Sequence, residues 1–296
     1  MSDSRSMKFP PAVMGLFDKY VHGLISRREF IDRASAFAVA GLSGAALLDA
    51  LNPKFALAQQ VAPTDARLRT DHVEIAAPGY GKARGYLVQP AKAEGKLPVV
   101  LVVHENRGLN PHIEDIARRL ALENFVAFAP DALFTLGGYP GDEDKARTLF
   151  QQLDQAKVRE DFLAIATHLK ALPAGNGKLG VVGFCYGGGM ANFLASHSRE
   201  IDAAVPFYGS PPAVADVPSI KAPLLLQFAE QDERINAAWP ASEAALKAAG
   251  TKYQAFIYPG TQHGFNNDTT PRYDKEAAAL AWQRTIDFFN KQLRAS

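Results

Sequence analysis

A buried strand that runs into Gly183-Phe184-Cys185-Tyr186-Gly187-Gly188-Gly189 leaves this chain few ways to fold. Val181-Val182 leads into the Gly-x-Cys-x-Gly pattern, which reads as a strand, a tight turn and then a helix. The turn carries a nucleophile at its tip, with cysteine where serine is usual. The glycines have a steric reason. The nucleophile sits on a sharp, strained turn, and its neighbours two residues away must lack side chains so that strand and helix can pack closely. Cys185 is the only cysteine in the chain, which excludes an intrachain disulfide framework and a cysteine-rich zinc site. It is therefore either a small buried hydrophobe or a reactive thiol.

The pattern around the turn is layered. Val73–Ala76 and Ala83–Gln89 read as an antiparallel pair joined at Pro78-Gly79-Tyr80-Gly81. Leu97–His104 is a continuous apolar run, as expected of a central strand buried on both faces. Helical periodicity over Pro111–Leu122 is followed by a short strand at Phe125–Pro130. Asp142–Leu172 reads as one long helix or two broken ones. Lys178–Phe184, Ala203–Phe207, Pro223–Ala229 and Tyr253–Tyr258 read as strands, Ala237–Ala249 and Arg272–Leu293 as helices. Strands alternating with helices predict an α/β fold, a mainly parallel central sheet with helices on both faces. One domain over residues 59–296 is expected. With 296 residues, 47% of them hydrophobic and 21% charged, the chain can bury a substantial core. A net charge of +1 gives no global attraction to nucleic acid or an anionic membrane, so neither is expected as a partner.

Residues 1–58 read as an address. A polar n-region precedes Ser26-Arg27-Arg28-Glu29-Phe30-Ile31, a twin-arginine pair followed by aromatic and aliphatic residues. An apolar stretch from Ala34 to Leu51 follows, and Ala56-Leu57-Ala58 offers the small residues that a signal peptidase reads. This layout predicts a bacterial twin-arginine export signal, engagement with the twin-arginine translocation machinery, and a periplasmic or secreted product beginning at Gln59. Asp49 inside the apolar stretch argues against a permanent membrane span.

Function in such sheets gathers in the loops at the carboxyl ends of the strands. After Leu97–Val103 come His104, Glu105, Asn106 and Arg107; after Pro223–Ala229 come Glu230, Gln231, Asp232 and Glu233; after Tyr253–Tyr258 come Gly260, Gln262, His263, Gly264 and Phe265. Nucleophile, acid and histidine thus follow the chain order of the α/β-hydrolase fold. The helix starting at Tyr186 points its positive end at the Cys185 sulfur and favours the thiolate. His263 can shuttle the proton, and Asp232 can fix its tautomer, with Glu230 and Glu233 as rivals in the same turn. The oxyanion hole is expected to use the backbone N–H of Tyr186 and a second donor at Asn106. His104 reads as a strand-end core histidine. His72, His112, His168 and His197 show no ligand spacing, so no metal is expected.

Cys185 in Gly-Phe-Cys-Tyr-Gly-Gly, the His-Glu-Asn-Arg-Gly-Leu loop, Asp232 in Ala-Glu-Gln-Asp and His263 in His-Gly-Phe-Asn-Asn-Asp together resemble the dienelactone hydrolase family. The resemblance covers roughly residues 70–293. It implies an α/β-hydrolase fold, a Cys-Asp-His triad acting on lactones or small esters through an acyl-thioester, and no cofactor. It also implies that Glu105 contacts the resting thiol and helps to generate the thiolate. One departure concerns substrate. Family members that hydrolyse dienelactone hold its carboxylate with arginines, one shortly after the catalytic histidine. Here Gly264-Phe265-Asn266-Asn267-Asp268 contains none before Arg272, leaving Arg107 or Arg147 as substitutes and Phe265 as a pocket candidate. The same scaffold could instead serve a thiol-dependent peptidase or acyltransferase, or a non-catalytic ligand-binding protein. A redox role is disfavoured because there is no resolving cysteine.

Overall fold

Two hydrophobic cores, one on each face of a single sheet, organise the chain. The computed structural model describes residues 9–37 and 41–294. Residues 1–8 of the expected n-region, residues 38–40 of the apolar stretch and the last two residues lie outside that range. Four short helices come first: α1 (Pro11–Val21), α2 (Arg27–Ser35), α3 (Gly44–Leu51) and α4 (Phe55–Ala58). The strands are β1 (Leu68–Ala77), β2 (Gly81–Pro90), β3 (Leu97–Val103), β4 (Val126–Pro130), β5 (Gly175–Phe184), β6 (Ala203–Phe207), β7 (Leu224–Gln231) and β8 (Tyr253–Gln262). Between and after them run α5 (Pro111–Leu122), α6 (Glu143–Gln151), α7 (Gln155–Lys170), α8 (Tyr186–His197), α9 (Glu233–Asn236), α10 (Trp239–Ala248) and α11 (Lys275–Leu293).

The strand order is β1-β2-β4-β3-β5-β6-β7-β8. β2 pairs antiparallel with β1 and β4, and all other neighbours are parallel. Alternation along β3 divides the cores. Val99, Leu101 and Val103 pack with Val181, with Phe162 of α7 and with Leu194 of α8. Val100 and Val102 pack with Val182 and Phe184, with Ile116 of α5 and with Phe289 of α11. A strand buried on both faces must be apolar throughout, which is why β3 was legible as an unbroken run.

Differences from the expected elements have local causes. β1 begins five residues earlier than the apolar pattern indicates, because Arg69–His72 are exposed on an edge strand that hydrogen bonding to β2 alone defines. The 142–172 segment breaks in two, with the Asp154 side chain accepting from the Ala156 and Lys157 N–H groups at 2.9 and 3.4 Å to cap α7. β5 starts at Gly175, before the expected Lys178, because Gly175 pairs with Leu97.

The largest correction concerns the N-terminus. Residues expected to be only an address are folded. Val13, Phe17 and Tyr20 of α1, Phe30 and Ala34 of α2, and Leu47 and Leu51 of α3 form a third core of their own. Ser26-Arg27-Arg28-Glu29 is a complete capping box: the Ser26 side chain accepts from the Glu29 N–H, and Glu29 accepts from the Ser26 N–H. The segment is tied to the sheet domain. Lys54 N–H donates to the Thr269 carbonyl at 2.7 Å, and Arg147 stacks on the Tyr20 ring while donating to the Tyr20 carbonyl. Arg27 pairs with Asp144 at 3.2 Å, and the Tyr20 hydroxyl donates to the same carboxylate.

The turn at Cys185 is closed by contacts that only glycine permits. A Cβ on Gly187 would lie 2.2 Å from the Val103 carbonyl oxygen, and one on Gly183 would lie 1.9 Å from the Gly187 oxygen. Both obstacles are backbone and cannot swing aside. Gly189, one turn into α8, has nothing nearer than 3.7 Å. Gly187→Ala should therefore cost about 3 kcal/mol in chemical denaturation, the upper end of the range for overpacking. Gly189→Ala should be neutral or stabilising by up to about 1 kcal/mol, since alanine is the better helix former. Equal stability of the two variants would contradict this account of the turn.

Candidate active site

Cys185 stands where β5 becomes α8, at φ 56° and ψ −112°, a backbone conformation that residues with side chains adopt at a cost of about 1–3 kcal/mol. Its N–H donates to the Phe207 carbonyl at 3.1 Å, and its own carbonyl accepts from Gly188 and Gly189 at 3.0 and 3.2 Å. These bonds over-determine the turn. The strain holds the sulfur out over the first turn of α8, where the helix dipole favours an anion. Tyr186 opens that helix, so its N–H has no acceptor within the helix and is available to an oxyanion.

Asp232 follows β7 and His263 follows β8, two adjacent parallel strands. That adjacency brings the Asp232 carboxylate within 2.5 Å of His263 Nδ1, with both side chains buried. The other ring nitrogen, Nε2, has no hydrogen-bond partner among the described residues. Burial alone would raise the Cys185 thiol, but the positive charge of His263 and contacts with His22 and His263 outweigh it and bring the pKa down to about 5. Burial likewise works against charge on His263, yet the Cys185 anion and Asp232 raise it to about 10. Both shifts describe the same state, a thiolate beside an imidazolium.

Other expected site residues divide. Glu105 lines a small recess with Cys185, His263 and Asn267, but its carboxylate accepts from the Asn267 side chain at 3.0 Å. Asn106 lines the main cavity and donates its side-chain N–H to the Val21 carbonyl at 2.9 Å, at the end of α1. Arg107 is buried and borders the small recess with Cys185, and its guanidinium meets the Asn106 side chain at 2.7 Å and Glu143 at 3.5 Å. Phe265 differs from the pocket candidate expected: it is fully buried between Tyr208 and Tyr258 and lines neither hollow that borders Cys185. Arg147 does border the cavity, although Tyr20 occupies its planar face. His104 is the core histidine expected, with Nε2 accepting from the Ala132 N–H at 3.1 Å.

The site holds a residue that sequence reasoning missed. His22, at the end of α1, places Nε2 at 3.5 Å from the Cys185 sulfur. Its ring meets that of His263 edge-on, with centroids 4.8 Å apart. Its Nδ1–H donates to the Asp18 carbonyl at 2.7 Å, and the Asp18 carboxylate lies 3.3 Å away. A histidine inside an apparent leader carries no catalytic signal. The Ser26–Glu29 capping box was the available hint that this segment folds.

The sulfur and one ring nitrogen from each of His22 and His263 lie within 4.8 Å of one another. By donor chemistry this trio could hold a zinc-type ion. Arg234 opposes that, because its guanidinium lies 3.0 Å from His22 Nε2 and sets a positive charge against any cation. A cavity of about 650 Å³ opens over Cys185, lined by His22, Tyr186, Met190, Phe193 and Arg234 among others. Its size suits a small organic substrate.

With this geometry in view, the relatives are informative. A family profile described as the dienelactone hydrolase family matches residues 83–293, and one described as YqhI-like matches residues 1–40. The chain is 34% identical over 221 residues to a protein of Escherichia coli (strain K12) named "Putative carboxymethylenebutenolidase", covering 70% of this chain and 81% of that one. It is 54% identical over 114 residues to "Putative hydrolase fragment YghX" of the same organism, covering 38% of this chain and 97% of the fragment. Among solved structures, a dienelactone hydrolase, titled as putative, from Klebsiella pneumoniae subsp. pneumoniae MGH 78578 superposes with a TM-score of 0.68 at 29% identity. That match covers 76% of this chain and 99% of the other.

The ion pair makes a prediction about the thiol. Iodoacetamide alkylation of Cys185, followed by intact mass, should have its midpoint near pH 5, with the rate falling only below it as the sulfur takes up a proton. A midpoint near the free-cysteine value of about 8.5 would show that no ion pair forms.

Proposed function

The chain belongs to the dienelactone hydrolase family and is an ester-cleaving hydrolase, and from that premise we propose that it opens lactones and small activated esters by nucleophilic attack of Cys185. One observation carries the reading: the only thiol in the chain sits at the floor of a cavity, beside a histidine that a buried carboxylate orients. The thiolate attacks the carbonyl carbon, an S–C bond forms, and the carbonyl electron pair moves onto oxygen. The Tyr186 N–H and the loop after β3, at Asn106, would hold that oxyanion. The alkoxide leaves with a proton from imidazole, giving an acyl-thioester. Water, deprotonated by imidazole, then releases the acid and restores the thiolate. Within this scheme His263 is the base and Asp232 its orienting partner. Glu105 stands close enough to act on the acyl-enzyme, although its present partner is Asn267. The scheme calls for no cofactor. A substrate carboxylate entering the cavity would meet Arg159 and Arg234 rather than Arg107.

Export by a twin-arginine route to the periplasm is a separate proposal, supported by the order of Arg27-Arg28, the apolar stretch and Ala56-Leu57-Ala58. The packing of the described residues among 9–37 and 41–58, with His22 beside Cys185, favours a segment that stays attached over one removed after Ala58. No helix among the described residues is long and apolar enough to cross a membrane.

Cys185→Ala should lower hydrolysis of para-nitrophenyl acetate and of a simple lactone by at least about a thousandfold while leaving the circular dichroism spectrum unchanged. Asp232→Asn should lower kcat by roughly a hundredfold or more with little change in KM, since it acts on the imidazole and not on substrate. Full activity in Cys185→Ala would remove the mechanism. Turnover of peptides in preference to esters would redirect it to the peptidase reading.

A further inference from the structure

The family's triad is complete without the N-terminal helices, yet α1 delivers a second imidazole to the nucleophile. His22 Nε2 lies 3.5 Å from the Cys185 sulfur, the contact that the resemblance assigns to Glu105. Glu105 is instead held by Asn267 at 3.0 Å. The two histidines also differ in which space they face. His22 lines the cavity of about 650 Å³ with Cys185, whereas His263 does not line it and borders a recess of about 30 Å³ and a separate hollow of about 370 Å³. The recess shared with Cys185 has a volume of about 30 Å³, room for roughly one water. A substrate that reaches the sulfur from the cavity therefore meets His22 before His263.

The arrangement behind His22 matches the one behind His263. Each imidazole has a carboxylate near Nδ1, at 3.3 Å for Asp18 and 2.5 Å for Asp232, and His22 Nε2 faces both the Cys185 sulfur at 3.5 Å and the Arg234 guanidinium at 3.0 Å. Position is enforced from several sides. Val21 accepts from Asn106 at 2.9 Å, Arg147 clamps Tyr20, and Arg272 lies 3.7 Å from the Asp18 carboxylate and over the Phe17 ring. The charged and titratable groups facing His22 are Asp18 on its own helix, Cys185 at the elbow, His263 after β8 and Arg234 on α9.

We propose that His22, oriented by Asp18, is a second catalytic imidazole of this hydrolase, giving a proton to the leaving oxygen on the cavity side of the Cys185 thiolate. The inference rests on the proposed hydrolysis through Cys185. The sulfur, already ionised, attacks the carbonyl carbon with its electron pair, while His22 carries a proton on the cavity side. As the bond between that carbon and the leaving oxygen breaks, the oxygen takes the electron pair and a proton from His22, and His22 regains a proton from the water that cleaves the thioester and restores the thiolate. His263 with Asp232 holds the thiolate from the opposite side. Burial disfavours charge on His22, but the contacts with Asp18 and Cys185 outweigh it and raise its pKa, in keeping with a ring that can carry the proton.

The test uses the full-length chain with His22→Gln, His22→Gly and Asp18→Asn, with near-ultraviolet circular dichroism as the check on folding. His22→Gln should lower kcat for para-nitrophenyl acetate by about ten- to a hundredfold with KM nearly unchanged, and should move the alkylation midpoint of Cys185 up by about a pH unit or more. Asp18→Asn should give a smaller loss in the same direction. His22→Gly, placed at the C-cap of α1 where glycine is tolerated, should regain activity with added imidazole, which a structural role would not produce. If His22→Gln misfolds, the Asp18→Asn kinetics and the imidazole series decide. Unchanged kcat and alkylation midpoint in folded variants would overturn the proposal, as would an active enzyme whose intact mass begins at Gln59. Alkylation reads the thiol without hydrolysis, so failure of the ester reaction itself, seen as full activity in Cys185→Ala, is distinguishable from failure of His22.

Discussion

The site depends on keeping one sulfur ionised at the end of a buried strand. A thiol in apolar packing prefers its proton, so burial alone would silence Cys185. Two things reverse that preference. The strained turn lifts the sulfur over the positive end of α8, and imidazole approaches it from β8. The turn in turn depends on Gly183 and Gly187, whose missing side chains let β5, α8 and β3 close to contact distances that any other residue would block. Chemistry and packing are therefore one constraint at this position. The backbone geometry that strains Cys185 is also the geometry that presents it.

The sheet supplies reach. Cys185, Asp232 and His263 are distant in sequence, but β5, β6, β7 and β8 are consecutive parallel neighbours. Their carboxyl ends lie along one edge, so short loops from three strands converge on one point. The N-terminal segment then closes that edge. Its small core of aromatic and aliphatic residues is held by Arg147, Arg272, Asn106 and the Lys54 backbone, so that α1 ends at the sulfur. The cavity of about 650 Å³ opens on Cys185 and His22, while His263 faces a small recess and a separate hollow.

Much of this was legible in the chain because it left strong local marks. The unbroken apolar run at β3, the glycine pattern around Cys185 and the acid and histidine after later strands each reflect a local steric or chemical requirement. Asp232 stood out from Glu230 and Glu233 only by resemblance. The structure separates them, since Asp232 is buried against His263 while Glu230 accepts from the Gly260 N–H and Glu233 begins α9 in solvent. Loop position says nothing about direction: the Arg107 guanidinium turns to Glu143 and Asn106, and the Phe265 ring turns into the core. The twin-arginine stretch shows how one string can satisfy two codes. Ser-Arg-Arg-Glu is an export-like motif by composition and a helix cap by geometry.

From sequence alone came the α/β layering, the elbow with Cys185 at its tip and the chain order of the acid and histidine that follow, because periodicity and steric necessity act over a few residues at a time. Tertiary structure alone decided which groups touch the sulfur. His22 lies 163 residues from Cys185 along the chain, and no local pattern encodes a contact at that distance. It arises because α1 buries its apolar face against α2 and α3, and the ion pairs and carbonyl contacts around that small core leave its last turn a single place to end.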